Sequence, residues 1–393
     1  MSAALDTPFA TWSRIEVFRS PEDAASAWRA LEAQGVATPY QRYDWLAPWY
    51  AFVAARKGQT PAIVLVSNGA GAPLALFPLV MLRTGPVRLA RFAGGKHCNA
   101  NMGLFDADFL ATLGPEDAST LLFAISEALS GVDLLDLRSQ PLSWNGFANP
   151  FALVAGARPA EDAHALAFQP GDTADMLVRR LVSKDSRKKL AKKLRWLEAI
   201  GPVSLRRAQT EAEVDGVLEA FFRQRAARFK AQHIANPFSC KTVQQFLRSA
   251  ALAGLDRGSP ALELWALWCG DRIAAAFGGV SDGRRLSGAF ISFENDKTLM
   301  RSSPGEVLTM ELAKAALANG LASFDLGMGE DGYKRHVCPT REKRVDASIP
   351  ITPMGHAMAL GLRGANRVRE IVKRDVRLLK TVRRVALRFG APT

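Results

Sequence analysis

The chain has 393 residues, of which 48% are hydrophobic, 23% charged and 8% aromatic, a composition that excludes general disorder and fits globular domains. Because domains usually span about 100 to 200 residues, this length predicts two domains, each able to bury its own core. No apolar run reaches the roughly 20 residues of a membrane-spanning helix, and the N-terminus lacks the pattern of a secretory signal, so we expect a cytoplasmic protein.

The formal net charge of +13 comes from two segments of the chain. Residues 179–195 carry nine Lys/Arg and one Asp, and residues 355–393 carry ten Lys/Arg and two acidic residues. Such local positive charge indicates a local partner, which would be a phosphate group, an anionic membrane surface or an acidic substrate.

The cysteines and histidines give no sign of a metal centre. Four widely spaced cysteines form no CxxC pair, and the five histidines lack the spacing of metal ligands. We therefore expect no disulfide framework and no metal.

The first half of the chain alternates between strand and helix patterns. Strands are expected at residues 15–18, 62–67, 74–82, 88–92 and 134–137, and helices at 21–33, 45–52 and 115–129. This alternation predicts one α/β domain over residues 1–170.

The second half contains a three-stranded meander followed by a helix and a strand. The meander strands are expected at residues 262–268, 272–280 and 286–293, because Gly270-Asp271 and Ser281-Asp282-Gly283 are turn signals between them. Further strands are expected at 203–207, 323–326 and 345–351, and helices at 177–199, 211–231 and 306–318. We predict a second domain over residues 171–354 and a basic amphipathic helix over 355–393.

A phosphate site is expected where the helix behind the meander begins. The N-terminus of a helix attracts phosphate through unpaired N–H groups and the positive end of the helix dipole. A donor such as coenzyme A carries a pyrophosphate, and the candidate residues for binding it are Arg301, Ser303, Pro304, Gly305 and Glu306. The alternative interpretation is an ordinary Ser-Pro helix cap.

A glycine-rich stretch follows the strand at 323–326. Residues 327–332 match GxGxxG, but a dinucleotide fingerprint must open a long helix, and here Pro339 follows too soon. The stretch is either an active-site wall or a glycine turn with solvated charges.

Several short motifs, in this order along the chain, resemble one known family. They are Pro39-Tyr40-Gln41 to Trp45, Phe92-Ala93-Gly94-Gly95, Ser186-Arg187-Lys188-Lys189 to Gly201, Ser303-Pro304-Gly305, and Phe324-Asp325-Leu326-Gly327 leading to Tyr333-Lys334. The chain resembles the CelD/BcsL-like branch of the GNAT superfamily, which is related in fold to the Fem-type peptidoglycan aminoacyltransferases. The resemblance covers most of residues 12–350.

The resemblance implies an α/β (α+β) fold with two GNAT-like acyl-CoA N-acyltransferase domains in tandem, the second with the more intact donor site. It implies transfer of an acyl group from acetyl-CoA or another acyl-CoA to an amine-bearing acceptor, linked to polysaccharide or cell-envelope biosynthesis. The usual GNAT phosphate motif has more glycines than the single one that follows Arg301 here.

The resemblance also implies roles for individual residues. Tyr333 and Lys334 would face the acyl-transfer centre, where Lys334 would stabilise negative charge on the thioester oxygen or contact the donor phosphate. Glu330 or Asp331 would accept the proton of the amine.

Two other functions compete with this interpretation. A Fem-type enzyme would take its acyl group from aminoacyl-tRNA, which the basic helix at 177–199 would contact. A non-catalytic protein would use its basic segments to bind nucleic acid or anionic lipid. Nucleic acid is disfavoured, because Trp196 is the basic helix's only aromatic residue. Residues 355–393 would either lie on an anionic membrane, peripheral to the inner membrane, or pack on the second domain.

Overall fold

The computed structural model describes residues 12–232, 234–328 and 332–374. Its internal contacts divide the chain into two units. The first unit contains the chain up to Glu161 together with Lys343–Ala359, and the second contains Asp162–Glu342 with the chain from Leu360 onward. The second unit thus begins before residue 171, and the strand expected at 345–351 lies in the first unit.

The first unit is a mixed α/β structure. In chain order its elements are β1 Arg14–Phe18, α1 Ala25–Gln34, α2 Tyr43–Pro48, β2 Thr60–Ser67, β3 Pro73–Thr84, β4 Val87–Phe92, β5 Leu104–Phe105, α3 Ala107–Thr112, α4 Pro115–Ala128, β6 Leu134–Pro141, β7 Ser143–Trp144, β8 Phe147–Ala148 and β9 Ala157–Pro159. Helix α2 continues as a π-helical turn over Trp49–Ala54.

The second unit has the same kinds of element. In chain order they are β10 Ala163–Ala167, α5 Ala174–Leu181, α6 Lys184–Glu198, β11 Val203–Arg207, α7 Glu211–Ala231, α8 Lys241–Leu252, β12 Leu262–Cys269, β13 Arg272–Ser281, β14 Arg285–Phe293, α9 Lys297–Met300, α10 Pro304–Ala318, β15 Ser323–Met328, α11 Gly332–Val337 and β16 Thr340–Glu342. The last described elements of the chain are β17 Arg344–Pro350 and α12 Pro353–Arg374.

The two units repeat one sheet topology. The first sheet has the order β1-β2-β3-β4-β6-β17-β9, with β5 paired to β3, and the second has the order β11-β12-β13-β14-β15-β10-β16. In each sheet one neighbouring pair is parallel, β4 with β6 and β14 with β15, and the other pairs are antiparallel. A helix connects the two strands of each parallel pair, as a parallel connection requires.

The core of the second unit lies between its sheet and helix α10. Leu308, Leu312 and Ala313 of α10 are fully buried, and they belong to one apolar cluster with Phe277 and Phe324 of the sheet. Helix α7 packs on β13 and β14. A capping box fixes the start of α7, since Thr210 Oγ1 accepts from the Glu213 N–H and Glu213 Oε2 accepts from the Thr210 N–H.

The basic segment is two helices, which corrects the single helix expected at 177–199. Val182 is extended, and Ser183 begins α6 by accepting a hydrogen bond from the Ser186 N–H at 3.3 Å. The serine side chain thus competes with continuation of α5 and opens a new helix. No element is predicted from sequence for β10 or α8, both of which contribute buried residues.

Candidate functional site

Strands β14 and β15 form a wedge at their carboxyl ends. Only three residue pairs join them, from Arg285 with Ser323 to Ser287 with Asp325. Beyond Ser287, β14 continues to Phe293 with no strand on its β15 side among the described residues. The wedge therefore leaves backbone N–H and C=O groups without sheet partners, at the edge of an α/β sheet where ligands usually bind.

A buried ionic network fixes the point where the wedge opens. Asp325 Oδ2 accepts hydrogen bonds from Arg285 Nε at 2.7 Å and Ser287 Oγ at 2.5 Å, and its Oδ1 accepts from the Gly327 N–H at 2.8 Å. Arg285 also donates two hydrogen bonds to Glu342, at 2.7 and 2.8 Å. Burial alone lowers the pKa of Arg285, but attraction to Asp325 and Glu342 outweighs it and raises the pKa above its usual value. The guanidinium stays charged and holds β14, β15 and β16 together.

Gly288 allows the two strands to approach at the start of the wedge. A Cβ atom at this position would lie 3.1 Å from the Asp325 carbonyl oxygen and 3.1 Å from the Phe277 ring. The absence of a side chain is therefore part of the geometry of the wedge.

Helix α10 begins at the mouth of the wedge with an uncapped terminus. Ser303 has left-handed backbone angles, φ 50° and ψ 63°, and its side chain makes no capping hydrogen bond. Pro304 has no N–H, and the Glu306 N–H donates to the Ser303 carbonyl at 2.9 Å. The Gly305 N–H donates no hydrogen bond to any residue in the described part of the chain. The first turn of α10 therefore presents one free amide and the positive end of the helix dipole.

Gly305 lies against the last residue of β14. A Cβ on Gly305 would be 3.0 Å from Phe293 Cδ1, so the helix terminus and the end of the strand are in contact. This contact places the start of α10 beside the open end of the wedge.

Positive charge lies next to this terminus and comes from Arg301, directly after α9, and from lysines of α6. The Arg301 guanidinium lies 4.5 Å from the centroid of the Trp196 ring, and Lys192 Nζ lies 5.0 Å from the same ring. Lys193 Nζ contacts Glu306 Oε2 at 2.5 Å, which neutralises the one acidic side chain in the first turn of α10. The mouth of the wedge is thus an electropositive region.

The candidate donor residues are brought together, whereas the candidate catalytic residues are described only in part. Glu330 and Asp331 lie outside the described residues, and Tyr333 lies in α11 with its side chain outside them. Lys334 is 8% exposed, and its Nζ donates to the Met328 carbonyl oxygen at 2.5 Å. The described contact of Lys334 is therefore with the end of β15.

Sequence reasoning missed Arg285 and the role of Trp196 as a support for Arg301. The available signal for Arg285 was its position directly before the strand expected at 286–293, because a cation that enters a buried strand needs a partner. No comparable signal marks the contact between Trp196 and Arg301, which are far apart in the sequence.

The corresponding helix terminus in the first unit is unsuited to phosphate. Helix α4 follows Gly114 and has Glu116 and Asp117 in its first turn. Asp117 Oδ2 accepts from the Gly114 N–H at 2.8 Å, so a carboxylate already occupies this terminus. Two acidic side chains would repel an anion there, so the start of α10 is better suited to an anion than the start of α4.

The described part of the chain has neither a cluster of metal ligands nor a membrane-spanning helix. No group of three or more His, Cys, Asp or Glu side chains there could hold a metal ion. Across the same residues, no helix combines the length and apolar character needed to cross a bilayer.

Residues 184–335 match the family model described as an acetyltransferase (GNAT) domain. The second unit therefore has a GNAT domain. No curated protein sequence matches the chain. The mixed α/β fold, built twice with one sheet topology and with a GNAT domain match in the second unit, agrees with the fold predicted from the sequence.

Solved structures with the same fold cover most of the chain at low identity. One is described as FemX, with a TM-score of 0.57, 8% identity, and coverage of 85% of this chain and 97% of that one. Another is the C-terminal domain of a protein assigned as a lysylphosphatidylglycerol synthetase from Agrobacterium fabrum, with a TM-score of 0.50, 14% identity, and coverage of 88% and 97%. A third is L-PGS from Bacillus licheniformis, with a TM-score of 0.50, 13% identity, and coverage of 89% and 98%. These likenesses are evidence for the fold alone, and the domain match by itself supports a transferase.

Proposed function

We propose that the second unit transfers an acyl group from acetyl-CoA or another acyl-CoA to an amine-bearing acceptor. The observation that carries this proposal is the uncapped start of α10 at the mouth of the β14–β15 wedge. A pyrophosphate would accept a hydrogen bond from the Gly305 N–H and gain from the helix dipole and from Arg301. The thioester arm would then extend into the wedge.

The chemistry needs a positioned carbonyl, an oxyanion donor and a proton acceptor. The amine nitrogen attacks the thioester carbon, the C–N bond forms, the C–S bond breaks, and the thiolate leaves as the amine loses a proton. The edge of β14 beyond Gly288, which has no strand on its β15 side among the described residues, offers N–H groups to the developing oxyanion. We propose Glu330 or Asp331 as proton acceptor, with Tyr333 and Lys334 at the acyl-transfer centre. Lys334 would stabilise negative charge on the thioester oxygen or contact the donor phosphate.

An aminoacyl-tRNA donor is the second candidate, and a specific surface favours it. The exposed cations of α6 form a face beside the start of α10, and we call it the α6 basic face; its residues are Lys184, Lys188, Lys189, Lys192 and Arg195. The similar structures include proteins described as FemX and L-PGS. Such a face would contact the phosphates of an RNA acceptor end.

We infer that the acceptor belongs to polysaccharide or cell-envelope biosynthesis, as the likeness to the CelD/BcsL-like branch implies. Peripheral contact with an anionic membrane through residues 355–393 fits this setting. Leu360 in α12 is 63% exposed, which supports such contact, whereas residues 375–393 lie outside the described residues.

Donor binding is tested with thermal shift and titration. Acetyl-CoA should raise the midpoint of thermal unfolding of the full chain, since a ligand that binds only the folded state stabilises it. Arg301→Ala should weaken acetyl-CoA binding roughly tenfold, because it removes a charge-assisted phosphate contact. Lys297→Ala is the matched control, since Lys297 is also exposed and lies four residues earlier.

The outcomes separate the two donors. Equal weakening by Arg301→Ala and Lys297→Ala would show a diffuse charge effect and count against the α10 site. Should neither acetyl-CoA nor longer acyl-CoAs bind while aminoacyl-tRNA does, the acyl-CoA proposal fails and the second candidate stands.

A further inference from the structure

Each unit has a pocket at one end of its sheet. The pocket lies at the start of β4 in the first unit and at the start of β14 in the second. In the first unit the pocket lies where β1 and β3 end and β2 and β4 begin, and its volume is about 470 Å³. In the second unit the pocket lies where β11 and β13 end and β12 and β14 begin, and its volume is about 660 Å³. The repeated topology thus produces a concave site of ligand size at the same place in both units.

The two pockets differ in charge. The first-unit pocket is lined by four cations, Arg19, Lys57, Arg83 and Arg88, and by no acidic residue. In the second unit, Arg206 and Arg207 line the pocket together with two carboxylates, Glu213 and Glu263. Arg207 and Glu263 approach within 3.8 Å. Because the same fold is built with balanced charge in one unit, the excess of cations in the other is not required by the architecture.

The net charge of the first unit does not explain why four cations gather at its pocket. Residues 12–161 and 343–359 contain fourteen Lys/Arg and fourteen Asp/Glu, so this part of the chain is neutral. Four like charges around one concavity repel one another and create a local positive potential. An anion that enters the pocket would remove this repulsion.

Two of the arginines are held at the pocket by specific contacts. Arg19 Nη1 donates to the Pro61 carbonyl at 3.4 Å and approaches Met81 Sδ at 3.3 Å. The Arg88 guanidinium lies over Gly131, where a Cβ atom would be 2.6 Å from Nη2. These contacts fix the positions of the two side chains before any ligand is present.

The carboxylate nearest to Arg88 is already engaged. Asp133 Oδ2 accepts from the Arg88 N–H at 2.8 Å, and its Oδ1 accepts from Thr352 Oγ1 at 2.7 Å. Asp133 does not line the pocket. It holds the backbone at the start of β4, where Arg88 is one of the residues that line the pocket.

We propose that the first-unit pocket binds a phosphate ester. The phosphate is held by Arg19, Lys57, Arg83 and Arg88. Two sources have this chemistry, a free phosphorylated small molecule and the headgroup of a phospholipid. The proposal does not depend on the donor site of the second unit.

The test uses the full chain and two soluble probes. Glycerol 3-phosphate represents a free phosphate ester, and dihexanoyl phosphatidylglycerol below its micelle concentration represents a lipid headgroup without a membrane surface. At constant ionic strength we expect one of them to bind and to slow amide hydrogen exchange at residues 57–60 and 81–88. The probe that binds more tightly identifies the source.

Variants locate the binding. The double variant Lys57→Ala/Arg83→Ala should weaken binding of that probe at least tenfold and abolish the local protection. Arg158→Ala changes an exposed arginine of the same unit outside the pocket, and it should alter the affinity less than twofold. Arg301→Ala in the second unit should have no effect on this binding.

Two results would overturn the proposal. One is that neither probe binds or protects residues 57–60 and 81–88. The other is that Arg158→Ala weakens binding as much as the double variant, because the effect would then come from general charge.

Discussion

Ionisable side chains in the interior of this protein are held in defined states by their surroundings. Arg285 is buried and charged because Asp325 and Glu342 compensate for its lost hydration. Cys338 shows the opposite effect, since burial, together with the nearby Asp325 charge, raises the pKa of its thiol and keeps it neutral. Cys338 is therefore unsuited to act as a nucleophile, which needs the thiolate.

Lys334 has a defined contact within the second unit. Its ammonium donates a hydrogen bond to the Met328 carbonyl oxygen, at the end of the strand that bounds the wedge. The role of Lys334 at the acyl-transfer centre stays a prediction.

A pH-dependent contribution to stability is expected from His97 in the first unit. Burial, with Lys57 and Lys96 nearby, lowers the pKa of His97 to about 4 from its usual 6.5. Between these values the unfolded chain binds the proton more strongly, so stability is present above pH 6.5 and is lost as pH falls towards 4. In denaturant titrations, wild type should lose about 2 kcal/mol more than His97→Gln between pH 7.5 and pH 5.

His356→Gln is the control for this measurement, because His356 is exposed. Its variant should keep the wild-type dependence on pH. Identical pH dependence in wild type and His97→Gln would contradict the assigned effect of His97.

Among the elements, the β14–β15 pair and helix α10 decide what the second unit can bind. The strand pair is clamped by Asp325 up to Ser287 and is open beyond it. The helix starts with a serine in a left-handed conformation, which costs roughly 1–2 kcal/mol for a residue with a side chain. A strained, uncapped start beside an open strand pair is typical of a binding site, where local strain serves function.

Replacing glycine by alanine should have opposite effects on stability at Gly288 in β14 and at Gly216 in α7. Gly288→Ala should lower the free energy of unfolding by about 1–3 kcal/mol, since its Cβ would press on the backbone of Asp325 and on Phe277. Gly216 lies on the exposed face of α7, and a Cβ there would meet no atom within 4 Å, so Gly216→Ala should stabilise by roughly 0.5–1 kcal/mol. Both values come from denaturant unfolding, and stabilisation by Gly288→Ala would show that the strands are not in close contact there.

At the scale of the whole molecule, one topology is used twice with different surfaces. The first unit carries an acidic helix terminus and a cationic pocket, whereas the second carries an uncapped helix terminus and a pocket of mixed charge. The duplicated fold thus provides two scaffolds whose differences lie in a few side chains.

Strand β17 links distant parts of the sequence within the first unit, which predicts the effect of truncation. It pairs with β6 and β9. A chain that ends at Glu342 lacks β17, so the amides of Leu134–Pro141 should lose protection from hydrogen exchange. A chain that ends at Pro350 retains β17 and should keep that protection, although both chains lack α12. Equal protection in the two chains would mean that β17 is dispensable for this sheet.

The sequence predicted most elements because their signals are local. The meander was predicted from Gly270-Asp271 and Ser281-Asp282-Gly283, and the structure has strands on both sides of each turn. Helix α7 was predicted at 211–231 and has these bounds. The break at Val182 was missed, because a serine cap inside a basic stretch is a weak signal.

What the sequence determined by itself was the order of elements, the α/β class, the GNAT likeness and the segment that forms the start of α10, since hydrophobic periodicity, turn residues and short motifs are encoded within a few residues. Tertiary structure decided the rest: the placement of β17 in the first sheet, the Asp325–Arg285–Glu342 clamp, the contact of Arg301 with Trp196, and the cations around the first-unit pocket. These features join residues that are tens to hundreds of positions apart. Their energies depend on burial and distance, which only the folded chain defines.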